Sequence, residues 1–381
     1  MAPLVTAPAS VDTFDFCTID AEGFFTELKA LRAEAESNLG EDDFQHLRKQ
    51  IRWGQLCTFV GVATSWIAPN PISAIGLGVG RSWRWGGVRH HIAHRAYDRV
   101  PGVPASYTSK VYGRGLRRYF DFVDWLPTEA WAYEHNVLHH SYTSDLNDPD
   151  LIERNAQGLL GNLPRFIRYI LVLFASLTWR TIFFGPNSYR AWKDHGRHKE
   201  EAGGYTWKRV ARNLFDPGYL SSVFIPVALL LFVAFPFLFL PLGWWAVFSV
   251  FCNSLMAEAF ANAHLFLTVL PNHAGSDLYR YDDTAKSPAE RSVRQVISTV
   301  NYGTNKGDLQ GFATLWLNYH IEHHVFPDLP ILKYKQIQPK LQGLCAKYGI
   351  PYRQERVLAR MREMLGVVVG RKQLRRMSRN P

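Results

Sequence analysis

GYLSSVFIPVALLLFVAFPFLFLPLGWWAVFSVFCNSLMA, residues 218–257, carries no charged side chain over 40 positions. As a helix rising 1.5 Å per residue it would measure about 60 Å, twice the roughly 30 Å hydrocarbon core of a bilayer. Pro241-Leu242-Gly243 supplies a turn at its middle. The stretch therefore reads as a transmembrane hairpin, carried on to about residue 270, and it sets the class of the chain: a multi-pass membrane protein. Aromatic residues at 14%, with 12 Trp, agree with that class. A mean hydropathy of −0.15 requires a large polar part outside the bilayer.

Working back, residues 53–80 are also uncharged, a run long for one span and short for two. Pro69-Asn70-Pro71 breaks it, so it reads as a tight hairpin whose second arm continues to about Val88. Arg81 and Arg84 are expected to snorkel to an interface. Residues 169–179 are apolar but short, between Arg168 and Arg180, and read as a helix lying in the interface plane. Before the spans, Phe24, Leu28, Leu31 and Ala35 fall at helical spacing over 21–37, and a second helix over 42–52 leads to the membrane. Residues 1–19 lack a signal-peptide pattern, and Asp12, Asp15 and Asp20 argue against a transit peptide. Four scattered cysteines without a C-x-x-C pair exclude a disulfide framework and a Cys-type zinc or iron–sulfur site.

The net charge of +10 is concentrated at the end of the chain. Residues 331–381 hold thirteen Lys+Arg against two acids, Glu355 and Glu363. A basic segment after membrane spans points to anionic lipid at the cytoplasmic face rather than to nucleic acid.

Histidines cluster between and after the spans. Arg89 to Asp98 contains His90 and His94, four apart on one helix face, with His91 off it. Residues 131–140 contain His135 and His139 on one face, with His140 about 140° from His135 on an α-helix. Asn318-Tyr319-His320-Ile321-Glu322-His323-His324-Val325-Phe326-Pro327 puts three imidazoles on one face and Glu322 on the other. His195 and His198, in a lysine-rich loop, read as solvated. Glu258, Asn262 and His264 enter the end of the long apolar hairpin, either as functional groups or at a bland interfacial position. Asn272-His273-Ala274-Gly275 is a turn carrying a histidine. Nothing between the first two clusters spans, and a full hairpin separates the second from the third, so all three can meet on one membrane face. Their eight histidines exceed what one zinc takes. Nitrogen-rich ligation with open positions suits two iron-class metals. Asp148 and Asp150 either orient ligand imidazoles through the second ring nitrogen or make a plain turn and helix cap.

The pattern H-x-x-x-H, H-x-x-x-H-H and H-x-x-H-H, with a hairpin between the second and third, resembles the membrane fatty acid desaturase and hydroxylase superfamily, and most nearly acyl-lipid desaturases. Glu134-His135-Asn136, Asp148-Pro149-Asp150, Leu317-Asn318-Tyr319 and the run 345–352 support the likeness. The resemblance implies a di-iron site, O₂ as oxidant and two electrons per turnover from outside. It implies metal ligands at His90, His94, His135, His139, His140, His320, His323 and His324. His273 matches an N-H-x-G histidine after the fourth span, with His264 as the competitor. Glu134, Asn136, Asp148, Asp150, Asn262, His264 and Asn318 are then candidates to support the ligands. This chain has His320 where many acyl-lipid members have Gln. It lacks a His-Pro-Gly-Gly haem motif, which implies a separate donor, cytochrome b5 or a ferredoxin; the basic tail could dock it.

The expected architecture is all-α, with two transmembrane hairpins (about four spans) and a cytosolic helical cap. Its parts are N-terminal cytosolic helices (1–52), a first hairpin (53–88), a cytosolic segment with the first two clusters and the interfacial helix (89–217), a second hairpin (218–270) and a cytosolic cap with basic C-terminal helices (271–381). The membrane is either the endoplasmic reticulum or a bacterial inner membrane, with site and termini on the cytosolic face. The expected activity is double-bond formation in a lipid acyl chain. A hydroxylase or ketolase acting on a carotenoid, sterol or alkane is the alternative, and a metal transporter or metal-binding scaffold the remoter ones.

Overall fold

The computed structural model describes residues 18–195, 204–303 and 307–377. Asp12, Asp15, His198 and the last residues of the basic tail lie outside these.

Helix α1 (Ala21–Ser37) starts where the Asp20 carboxylate accepts the amide of Gly23 at 2.8 Å. It buries Phe24, Leu28, Leu31 and Ala35, the face its spacing predicts. Helix α2 (Glu41–Ser65) opens with the Asp43 carboxylate accepting the Gly40 amide, 3.0 Å. Pro69-Asn70-Pro71 then turns the chain: Asn70 caps helix α3 (Pro71–Trp83) by accepting the Ser73 amide at 2.8 Å, with Pro71 in the first turn. The two arms touch backbone to backbone. A Cβ on Gly76 would sit 2.6 Å from the Cys57 carbonyl oxygen, so only glycine permits the approach.

α3 does not stop at Trp83. It is wound as a π-helix over Arg84–Arg89 and then runs through His90–Ala93, so the second arm delivers the first histidine cluster directly. Arg81 is not at an interface, as expected of it, but turned inward. Its guanidinium donates to the Ser254 carbonyl (2.8 Å) and reaches Glu258 at 3.3 Å.

Among the described residues three helices are long and apolar enough to cross a membrane: Arg165–Asp194, Pro217–Leu242 and Trp244–His273. The last two form the hairpin read from 218–257, turning at Gly243 with φ 97°. The first is longer than the window 169–179, because the helix passes through Arg180 instead of ending there. Arg180 is buried, bonded to Asp124 and Glu258, each at 2.5 Å, so it need not find water. The first hairpin is not among the three: α2 begins in charged sequence and the helix from Pro71 to Ala93 carries Arg81, Arg84 and Arg89.

The rest is predominantly helical. Helix α4 (Pro288–Ile297) packs on helix α5 (His320–Val325), which carries the third histidine cluster; helix α6 (Ile331–Lys347) packs on α5 as well, and helix α7 (Val357–Val368) packs on the turn carrying His273. The all-α expectation needs one correction. β1 (Tyr279–Tyr281) pairs with β4 (Arg375–Met377), and β2 (Asn301–Tyr302) with β3 (Gln354–Glu355), both parallel. These short ladders clip the late chain onto the loops around the site. The basic C-terminal helices are also less free than their charge suggests. Lys333, Lys335, Lys340 and Lys347 pair with Asp43, Asp308, Glu34 and Glu27.

Candidate metal centre

All nine predicted ligands meet in one place. His90, His94, His135 and His323 each bring a ring nitrogen to within 4.8 Å of the others, and His139, His273 and His324 form a second such group. His140 lies between them, its ring centre 4.6 Å from that of His94 and 4.5 Å from that of His324. His320 joins the second group, with Nε2 2.8 Å from Nε2 of His273.

Helix winding explains the convergence. On an α-helix His140 would point away from His135, but residues Ala132–His139 are π-wound, and the His140 amide bonds to the His135 carbonyl, five residues back. The extra residue per turn brings positions i+4 and i+5 onto the face that i+3 and i+4 occupy in an α-helix. His135, His139 and His140 thereby present the arc that His320, His323 and His324 present on α5. Glu322 points the other way, as expected, and bonds to Asn301 (2.8 Å) and Tyr352.

The ring nitrogens fit metal better than one another. Nε2 of His90 lies 3.0 Å from Nε2 of His323 and 3.2 Å from Nε2 of His135. Three such atoms cannot satisfy each other with the protons neutral imidazoles carry. Nε2 of His94 and His324 and both ring nitrogens of His140 are buried without a hydrogen-bond partner among the described residues. Burial holds His94, His135, His140, His323 and His324 well below the ordinary histidine pKa, and His320 at about 3, so they offer lone pairs. His139 is the exception. Burial lowers its pKa, but the Asp148 carboxylate at 2.9 Å more than offsets this and raises it.

Partners on Nδ1 settle which nitrogen is left free. Asp148 takes the Nδ1 proton of His139. Gln295 donates to the His140 carbonyl at 2.7 Å, so its oxygen faces Nδ1 of His324 at 2.8 Å, which must donate. Tyr334 donates to the Pro327 carbonyl and accepts from Nδ1 of His323 at 3.2 Å. Each leaves Nε2 free for the centre.

The supporting residues read from sequence divide. Asp148 bonds a ligand candidate directly. Asp150 and Glu134 form a close group with His135, and both carboxyls are raised by burial first, with neighbouring carboxylates adding to it. Asn136 bonds the Ala93 carbonyl at 2.9 Å, tying the second cluster to the first. Asn318 is buried beside Thr314. Asn262 and His264 are not brought to the centre. Asn262 braces Glu258 and the Arg180 amide. His264 has both nitrogens occupied, by Ser82 (2.7 Å) and the Ala313 carbonyl (2.8 Å), so His273 is the one that joins. His195 is exposed and apart. Gln295 and Tyr334 escaped the sequence reading, because they lie in helices with no histidine pattern to flag them; His91, read as off the face, stacks its ring on His90 and bonds the Gly87 carbonyl.

An apolar cavity of about 190 Å³ ends on five of the nine, His90, His135, His139, His273 and His320. Its walls include Trp85, Leu160, Val172, Trp179, Phe184 and Phe266. Phe174 and Trp207 line it as well and are 56% and 53% exposed, which marks its mouth.

The fold and the site thus define a helical protein with membrane-competent helices and a histidine cluster able to hold metal. Comparison narrows the class: the fatty acid desaturase profile matches residues 64–356, and the chain belongs to that family. It is 24% identical over 365 residues to an NADPH-dependent stearoyl-CoA 9-desaturase of Mycobacterium tuberculosis, covering 91% of this chain and 79% of that one. It is 24% identical over 279 residues to an sn-1 linoleoyl-lipid 6-desaturase of Synechocystis sp., covering 70% of each. A Delta(5) fatty acid desaturase A of Dictyostelium discoideum is 25% identical over 280 residues, covering 69% of this chain and 54% of that one.

Proposed function

We propose that the protein is an O₂-dependent fatty acyl desaturase that holds two iron ions among His90, His94, His135, His139, His140, His273, His320, His323 and His324. The observation that carries the reading is the apolar cavity ending on the histidines: a hydrocarbon binding site whose wall is mostly apolar, with Asp150, Asn155 and Thr178 its polar members besides the histidines. Bound there, the iron pair supplies the reduction of O₂ and the oxidising power to remove hydrogen from an unactivated CH₂. The balance is one –CH₂–CH₂– unit, O₂, two electrons and two protons giving one –CH=CH– and two waters.

The chain's own residues position and exclude. Trp85, Trp179 and Phe266 hold the acyl chain against the histidines and keep water out. Asp148, Gln295 and Tyr334 fix the imidazoles that carry the metal. Phe174 and Trp207, at the mouth, lie beside the outward apolar residues Phe166, Ile170, Leu173 and Leu177, which supports entry of the acyl chain from the bilayer.

Four crossing helices are supported by the outward apolar faces of the first hairpin (Leu56, Phe59, Ile72, Ile75) and of the second (Leu229, Val233, Phe248, Leu255). The division at 1–52, 53–88, 89–217, 218–270 and 271–381 goes with it, with helix Arg165–Asp194 in the interface plane. The site and termini face the cytosol, from the endoplasmic reticulum or a bacterial inner membrane, and a separate carrier supplies the electrons.

Expression in a host of known lipid composition, followed by lipid mass profiling, tests the activity. Products lacking two hydrogens are expected, and they vanish in His139→Ala and His323→Ala with membrane-inserted protein retained. Products gaining oxygen would instead mark a hydroxylase. Activity near wild type in both variants would sink the di-metal assignment.

A further inference from the structure

A second recess reaches the histidine cluster through different residues. It measures about 730 Å³ and touches His94 and His140, neither of which lines the apolar cavity. Conversely, none of the five histidines that end the apolar cavity lines this recess. Its character is also opposite. Arg95, Lys110 and Arg114 stand in its wall against one acid, Asp98. The Asp98 carboxylate is occupied by the Ser109 amide (2.7 Å) and hydroxyl (2.6 Å). Arg114 is held by the Ser109 carbonyl at 2.7 Å and lies 3.5 Å from Glu129. Arg95 and Lys110 are exposed and make no ion pair among the described residues.

The backbone keeps Arg95 at this rim. It follows His94 directly with φ 66°, a left-handed conformation that a non-glycine residue adopts only when its surroundings hold it there. The contrast with the C-terminal helices is sharp, because the lysines of α6 are paired with acids of α1 and α2, of the same cap, and with Asp308. Unspent positive charge beside the cluster is found at the recess.

We propose that this recess is the electron entrance: a small acidic one-electron carrier protein docks over Arg95, Lys110 and Arg114 and passes its electrons toward the centre by way of His94 and His140. The proposal rests on the desaturase reading, which needs two electrons from outside per double bond. Two carrier molecules are each oxidised by one electron, and the two accompanying protons come from water. Docking by rim charge sets the encounter rate and its salt dependence more than the chemistry behind it. The carrier then works at one opening while the acyl chain fills the other.

The test uses the full iron-loaded chain in lipid nanodiscs. The probes are a reduced plant-type ferredoxin and a reduced cytochrome b5 haem domain; the control that needs no docking is anaerobic reduction by stoichiometric dithionite, with O₂ admitted only after the dithionite is spent, read as a single-turnover rate. Lys110→Glu combined with Arg95→Glu is expected to raise the KM for whichever carrier supports wild-type turnover by about tenfold. It should flatten the salt dependence and leave the dithionite-driven rate unchanged. Lys110→Glu alone, at an exposed position, should move KM the same way. Arg362→Glu, at an exposed position of α7, should leave KM unchanged. An equal KM rise in Arg362→Glu overturns the proposal, as does an unchanged KM in the recess variants. So does a loss of the dithionite rate matching the loss with carrier, or wild type that turns over with dithionite but with neither carrier. Wild type inactive even with dithionite would instead overturn the desaturase reading itself.

Discussion

Replacing Asp148 by Asn should weaken iron binding about 10- to 100-fold, and the structure says why so small a change is costly. Oδ1 of Asp148 accepts from Nδ1 of His139 at 2.9 Å and from the Asp150 amide at 2.9 Å, while Oδ2 accepts from the Ser144 amide at 2.7 Å. Three donors converge on one buried carboxylate. Asparagine keeps the shape but must turn its NH₂ toward one side, where donor meets donor. The loss of a hydrogen bond to a charged group is worth about 1.5–3 kcal/mol. The usual effect of losing a ligand's outer partner, 10- to 100-fold, corresponds to about 1.4–2.7 kcal/mol. The two ranges overlap. Iron retained by Asp148→Asn against chelators of graded strength, measured by elemental analysis of the purified protein, gives the affinity directly. The reasoning also fixes a sign in metal-free protein. The raised pKa of His139 contributes stability fully below about pH 6.5 that is lost as pH rises through the raised value, so the variant should lose this acid-side contribution. Iron affinity within twofold of wild type, in protein that melts normally, would refute the role given to this carboxylate.

Metal-free wild type should still lose stability steeply from pH 6.5 to 5.5. His94, His135, His140, His323 and His324 stay neutral when folded and protonate when unfolded, which costs about 1 kcal/mol per group across this unit. A flat melting temperature across that window would contradict their burial. Gln295→Leu should strip the Nδ1 partner of His324 and cut iron affinity by about tenfold or more, read by the same chelator series. Deleting Val137, an exposed residue of the π-wound segment, should let that segment rewind as an α-helix with His135, His139 and His140 still on one face. Deleting Ile321 from α-wound α5 should scatter its three rings. Iron content after purification separates the two, and equal loss in both would refute the winding argument.

Much of this was legible from residue order. The apolar face of α1, the break at Pro69-Asn70-Pro71, the long second hairpin and the eight clustered histidines follow from spacing, charge and turn chemistry; the ninth, His273, came from the likeness to a family. What was not legible has physical causes. The π winding of Ala132–His139 changes the angle per residue, so an α-helical wheel misplaces His140. Arg180 looked like the end of a helix, because a guanidinium in apolar surroundings is affordable only with partners such as Asp124 and Glu258, far off in sequence. Gln295 and Tyr334 carry no local signature; their importance comes from where the fold sets them. The basic tail suggested a lipid or carrier surface, yet the lysines of α6 are matched by acids on α1 and α2 and by Asp308, and Lys372 by Glu363.

Those matches set a timetable for synthesis. Glu34 on α1 bonds Lys340 on α6 across 306 residues of sequence, and the ring of Phe24 meets that of Tyr348 at 5.8 Å. At roughly 5–20 residues per second, α1 waits about 15–60 s for its partner to be made. During that interval both hairpins can enter the membrane, and the first two histidine clusters are already present without the third. The cluster is therefore completed only long after its first two parts are made, and a chain released before α6 leaves bare the part of α1 that α6 covers. For a cell's quality control, α1 reports whether α6 was ever made.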